Sequence, residues 1–118
     1  MKHSYVVSVL LAAGSVLGCA GYPPPTDHLA SAIAATRGAE EAGAARVPRA
    51  ALQLKLAEEG VTQARAMMED GENERADFMT LRAYNDAELA LALARREAAV
   101  QRAKQAEAMA AAADAGNR

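Results

Sequence analysis

Between residues 47 and 68, Val47, Ala50, Leu54, Ala57, Val61, Ala64 and Met68 recur at alternating steps of three and four. That rhythm is the narrow seam of a helix packed at the coiled-coil period rather than the broad apolar face of a helix laid on a globular core. The chain is 52% hydrophobic, yet only 3% aromatic and without tryptophan, because alanine supplies most of the apolar count. Alanine is the strongest helix former and buries little surface. The expected fold is therefore all-α and thinly cored.

Pro48 suits the first position of a helix, where its missing N–H would go unbonded in any case. The seam helix is predicted from Pro48 to about Asp70, and Gly71 offers a left-handed stop. Asn73 is placed to cap a third helix reaching about Ala113, and Asp27 to cap a shorter first helix from about His28 to Ala45, weakened toward its end by Gly38 and Gly43. Folding back at Gly71 sets Met68 opposite Ala76, Val61 opposite Ala83, Ala57 opposite Ala87 and Leu54 opposite Ala90, an antiparallel hairpin in constant register. Small residues let the axes approach closely, which gives a reason for Gly60 in a helix interior, where glycine costs about 1 kcal/mol. The third helix outruns the second, so Ala94 to Ala113 needs company or stays exposed. The first helix, through Leu29, Ala32, Ile33 and Thr36, either continues in line to cover that overhang or turns back into a three-helix bundle. The expected architecture is a long antiparallel hairpin of the second and third helices plus a shorter first helix, three in all, following a Pro-rich tether.

The chain begins differently. Lys2 precedes an apolar run from Val6 to Leu17, closed by Gly18 and Cys19, which is the layout of a cleaved secretory signal. The run is about twelve residues, short of the roughly 20 needed to cross a bilayer. Cys19 is the only cysteine, so it has no internal disulfide partner. Pro23-Pro24-Pro25 then favours extended polyproline II, a spacer of roughly 20 Å from Ala20 to Thr26. The division expected is a signal over 1–18, lipidated Cys19 and tether over 19–26, a helical domain over 27–113 and a frayed end over 114–118.

Val16-Leu17-Gly18-Cys19 resembles the lipobox of bacterial lipoproteins. The resemblance implies cleavage between Gly18 and Cys19 and a covalent diacylglycerol and N-acyl lipid on Cys19, with no other cofactor. Ala20, which is not aspartate, implies the periplasmic face of the outer membrane. Anchoring by several acyl chains would be firm. The helical region also resembles an uncharacterised family of alanine-rich envelope lipoproteins whose domain elsewhere precedes an OmpA-like peptidoglycan-binding module. It does so through "AEEAGAARVP" (Ala39 to Pro48), Leu54 to Ala64, the Gly71 turn and "NDAELALALA" (Asn85 to Ala94), over roughly residues 29 to 107. Peptidoglycan binding belongs to that other module and is not carried over, so peptidoglycan contact stays open.

Candidate chemistry is sparse. "EDGENERAD", Glu69 to Asp77, gathers five carboxylates around a glycine, but lacks the ligand spacing of an EF-hand and reads as a solvated turn whose acids favour a helix start. His3 falls in the signal, which leaves His28 with no second histidine or cysteine for a metal. Asp86 and Glu88, two apart, point to different sides of a helix and are no catalytic pair. Arg95, Arg96, Arg102 and Lys104 make a basic stretch that could meet anionic headgroups, phosphorylated glycans or an acidic partner, unless it is a solvated face balanced by Glu97 and Glu107. Met67, Met68, Met79, Phe78, Leu81 and Tyr84 read as core filling beside the turn rather than as an exposed partner patch.

A formal charge of −2 leaves no basic footprint for nucleic acid. The functional expectation is a lipid-anchored, non-enzymatic scaffold, spacer or adaptor on the periplasmic side of the outer membrane, contacting the membrane through its anchor and completing its thin core by self-association or with an envelope protein. The alternative is a chaperone-like or ligand-binding module that shields apolar cargo.

Overall fold

The computed structural model describes residues 21–117. Among these, α1 (Thr26–Glu41), α2 (Pro48–Glu69) and α3 (Asn73–Gly116) follow one another, with a 3₁₀ turn at Ala44–Arg46 between the first two, and no strand occurs. Cys19, Gly18 and the expected signal over 1–18 lie outside the described residues.

The hairpin of α2 and α3 forms as the seam predicts. Val61 sits in one core cluster with Ala83, and Leu54 in another with Ala90 and Ala94. Ala57, Ala76 and Ala87 are fully buried. Gly71 adopts φ +76°, and behind it Gly71 N–H donates to the Met68 carbonyl at 3.1 Å and Glu72 N–H to that of Met67 at 2.8 Å. This pair of bonds is the Schellman stop, which uses two carbonyls that the end of α2 would otherwise leave unpaired.

α1 turns back. Ala32 joins the cluster of Val61 and Ala83, and Ala39 that of Leu54, Ala90 and Ala94, so α1 runs antiparallel to α2 and alongside α3 as the third member of a bundle. The in-line arrangement over the α3 overhang does not occur. Its cause is Gly43, with φ +83°, which ends α1 at Glu41 instead of Ala45. A Cβ at Gly43 would fall 2.3 Å from the Arg46 guanidinium. Glycine relieves the left-handed backbone, whereas the guanidinium is the far end of a flexible, exposed side chain and can move aside.

The core is as thin as the composition implies. Apart from Pro25 ahead of α1, its buried apolar side chains are alanines, Leu54 and Val61, and the largest fully buried side chain among the described residues is Thr80. The Thr80 hydroxyl donates to the Asp77 carbonyl at 2.7 Å and that of Thr36 to Ala32 at 2.8 Å, so neither leaves an unpaired group in the interior. At Gly60 an added Cβ would come within 2.9 Å of Ala83 Cβ. The close approach of α2 and α3 thus accounts for a glycine that helix propensity alone disfavours.

Two expected caps are replaced. α1 starts at Thr26 with Pro25 in the capping position, and Asp27 lies in the first turn without capping it. α3 has Glu72 as its cap residue, and the Asn73 amide instead donates to the Tyr22 carbonyl at 3.0 Å. α3 also continues through Gly116, past the expected Ala113. At 1.5 Å per residue its 44 residues span about 66 Å. Only the half through Ala94 is covered by α1 and α2, and the half from Arg95 onward is bare, its side chains exposed except for half-buried Glu97.

Candidate functional site

The described residues assemble their most distinctive surface where α1 and α3 begin. Asp77 lies one turn into α3, and its carboxylate accepts hydrogen bonds from the Tyr22 hydroxyl and from His28 Nδ1, the latter at 2.5 Å. Together with the bond from Asn73 to the Tyr22 carbonyl, these contacts fasten the segment before α1 onto α3. Pro25 is buried beneath it, and the Pro25 carbonyl accepts from Leu29 N–H at 2.9 Å. From Tyr22 onward the Pro-rich stretch is therefore strapped to the bundle and is not a free spacer.

The three titratable groups perturb one another. The hydrogen bond to Asp77 is the main reason that His28 and Tyr22 are both raised from their ordinary values, and the bonds from His28 and then Tyr22 hold Asp77 below the usual carboxylate range. Tyr22 and His28 are exposed and Asp77 is half-buried, so the cluster is a fastening at the surface of the bundle.

Beside the strap runs a groove of about 340 Å³ lined by His28 and Ser31 of α1 and by Asp77, Phe78, Thr80, Leu81 and Tyr84 of α3. Phe78 is 69% exposed, Leu81 57% and Tyr84 38%. These three do not fill the core, contrary to the reading of the cluster as interior packing. Met67, Met68 and Met79 are half-buried beside the turn. The physical reason is the closeness that alanine permits: the axes are too near to admit an aromatic ring, so the bulky side chains are turned outward. Apolar groups presented along a polar rim mark a contact surface.

The basic residues occupy the bare half of α3. Arg95, Arg96, Arg102 and Lys104 are all exposed, and among the described residues none of them forms a salt bridge. Glu97 instead accepts from the Gln101 amide at 2.7 Å. Arg95 and Arg102, seven residues apart, share one helix face, while Arg96 and Lys104 point elsewhere. The four do not converge on one spot.

Among the described residues no cluster of three or more His, Cys, Asp or Glu side chains suited to a metal ion is present. No described helix is long and apolar enough to cross a membrane. Within the acidic turn Glu72 pairs with Arg75 and Asp77 is taken up by the strap.

A family model described as "Domain of unknown function (DUF4398)" matches residues 27–106. The match takes in α1 and α2 and runs past Ala94 into the bare half of α3. No curated protein and no solved structure matches the chain.

Proposed function

This chain belongs to the family described as Domain of unknown function (DUF4398), and we propose that it is a non-enzymatic helical scaffold or adaptor. In this reading it is anchored by lipid on Cys19 to the periplasmic face of the outer membrane. The observation that carries the scaffold reading is the division of α3 into a covered half and a bare half flanked by an open apolar groove. Such a molecule presents contact surface along its length. The lipobox-like Val16-Leu17-Gly18-Cys19 supports the anchor.

A second reading, a module that shields apolar cargo, draws on the exposure of Phe78, Leu81 and Tyr84. At about 340 Å³ the groove is at the small end of ligand sites, which favours the scaffold.

The test is metabolic labelling with a clickable fatty acid in cells expressing the wild-type chain or Cys19→Ser, followed by fractionation of the envelope. The proposal expects label and outer-membrane recovery for the wild type and loss of both for Cys19→Ser. Unlabelled wild-type protein in the soluble fraction would refute the anchor.

A further inference from the structure

We propose that two copies of this chain pair antiparallel through α3, each laying its bare half along the α1–α3 groove of the other. The pairing names the partner in the scaffold reading and rests on that reading for its biological setting.

Three observations lead to it. First, the covered and bare halves of α3 are equal in length, so an antiparallel pair centred near Arg95 places each bare half beside the partner's groove. Second, the groove side of α3 carries a stripe that runs Leu81, Tyr84, Glu88, Leu91, Arg95, Ala99, Arg102, Ala106, Met109. Its steps of three and four read the same in both directions from Arg95. In the antiparallel register Leu81 meets Met109, Tyr84 meets Ala106, Glu88 meets Arg102 and Leu91 meets Ala99, each contact made twice by symmetry, as a closed two-fold interface requires. Leu81 and Met109 are 57% and 72% exposed, and both gain cover.

The third observation is charge. From Asp86 to Ala94 α3 holds two acids and no base, and the stretch it faces in this register, Arg96 to Lys104, holds three bases and one acid. Antiparallel pairing sets opposite signs beside each other and gives Glu88 and Arg102, neither in a salt bridge among the described residues, a charged partner each. The α1 margin of the groove offers Ser31 and, at helical spacing, Ala35 and Gly38, and a Cβ built at Gly38 meets nothing within 4 Å. A fourth helix fits against so low a wall. Each end of the dimer is then a four-helix bundle, α1, α2 and α3 from one chain and the far half of α3 from the other. Arg95 is left on the two-fold axis facing its own copy, a like-charge contact that works against the pair.

Disulfide trapping tests the register. The full chain carrying Cys19→Ser has no other thiol, and Leu81→Cys with Met109→Cys places two thiols about 42 Å apart along one helix, far too distant to join within a chain. The expected result is a covalent dimer from the double variant under mild oxidation, a dimer from Arg95→Cys alone across the axis, and none from Leu81→Cys alone or Met109→Cys alone. A dimer from Leu81→Cys alone would mean parallel pairing and overturn the proposal, as would a chain that stays monomeric by light scattering, or a double variant that links only to other proteins. Glu88→Arg is expected to weaken self-association by roughly tenfold, Glu88→Arg with Arg102→Glu to restore it, and Arg95→Leu to tighten it. Unchanged association in Glu88→Arg would also count against the pairing. None of these readings involves the lipid, so trapping can fail while fatty-acid labelling succeeds, and the reverse.

Discussion

The two halves of α3 form one continuous helix, and the bare half is the richer in alanine, ten residues against six, yet it is the other half that is packed. Ala76, Thr80, Ala83, Ala87, Ala90 and Ala94 are buried at alternating steps of four and three. Carried onward at the same rhythm, the seam falls on Glu97, Gln101 and Lys104. The bundle ends where the seam becomes polar, because burying those groups without partners would cost more than alanine contacts return. Alanine content makes a helix; the identity of every third or fourth residue decides whether anything lies against it.

The largest expected effect is in the covered half. Leu54→Ala removes the bulkiest aliphatic side chain of the core and should destabilise the bundle by about 2–5 kcal/mol, measured by urea unfolding followed by circular dichroism. A smaller shift would mean that alanine neighbours collapse into the space. Gly60→Ala sharpens the same point from the opposite side, since the new methyl meets Ala83 within 2.9 Å. It should lower stability by up to about 2 kcal/mol, the overpacking penalty of about 1–3 kcal/mol less the gain of about 1 kcal/mol in helix propensity. A rise in the unfolding midpoint would show that α2 and α3 stand further apart than described.

One substitution placed in both halves breaks the comparison most cleanly. Ala87→Gly and Ala106→Gly share a propensity cost of about 1 kcal/mol, but only Ala87 is buried in the bundle. The first should shift the global unfolding midpoint. The second should loosen only its neighbourhood in the monomer, seen by amide exchange with the global midpoint unmoved.

The smallest effect concerns the strap. His28 is raised above 6.5 by its bond to Asp77, so its contribution is fully present below that value and fades as pH rises through its folded pKa. Asp77 is lowered from 3.8, so its contribution is present above that value and fades as pH falls through its folded pKa. The strap should therefore hold best in mildly acid solution, between these two reference values, and loosen on either side. Asp77→Asn should return the His28 titration seen by NMR toward 6.5 and free Tyr22; an unmoved His28 midpoint would dismiss the bond.

The fold was legible wherever a periodic pattern carried it. The seam of α2, the Gly71 turn and the antiparallel register of Val61 with Ala83 and Leu54 with Ala90 all come from spacing. The return of α1 was not decided, because Gly43 could be read as a weak helical residue as easily as a left-handed stop, and only the 3₁₀ turn after it separates the two. The burial of Thr80 is not legible because the residue is polar, and its bond to the Asp77 carbonyl leaves no trace in a sequence. The strap was hidden for a different reason: Tyr22 and His28 lie 55 and 49 residues from Asp77, and no local rule joins them. Phe78, Leu81 and Tyr84 were misplaced into the core by a rule that bulky apolar groups go inside, which fails where alanine sets the helix spacing.

Hydrogen exchange along α3, compared between the wild-type chain and Glu88→Arg at the same concentration, tests the central claim most directly. If the bundle ends at Ala94 and a second copy covers the remainder of the helix, residues 73–94 stay protected in both proteins, while residues 95–116 are protected in the wild type and exchange freely in Glu88→Arg. If 95–116 exchanges freely in both, nothing covers the bare half; if it stays protected in both, Glu88 has no part in covering it, and either result contradicts the pairing.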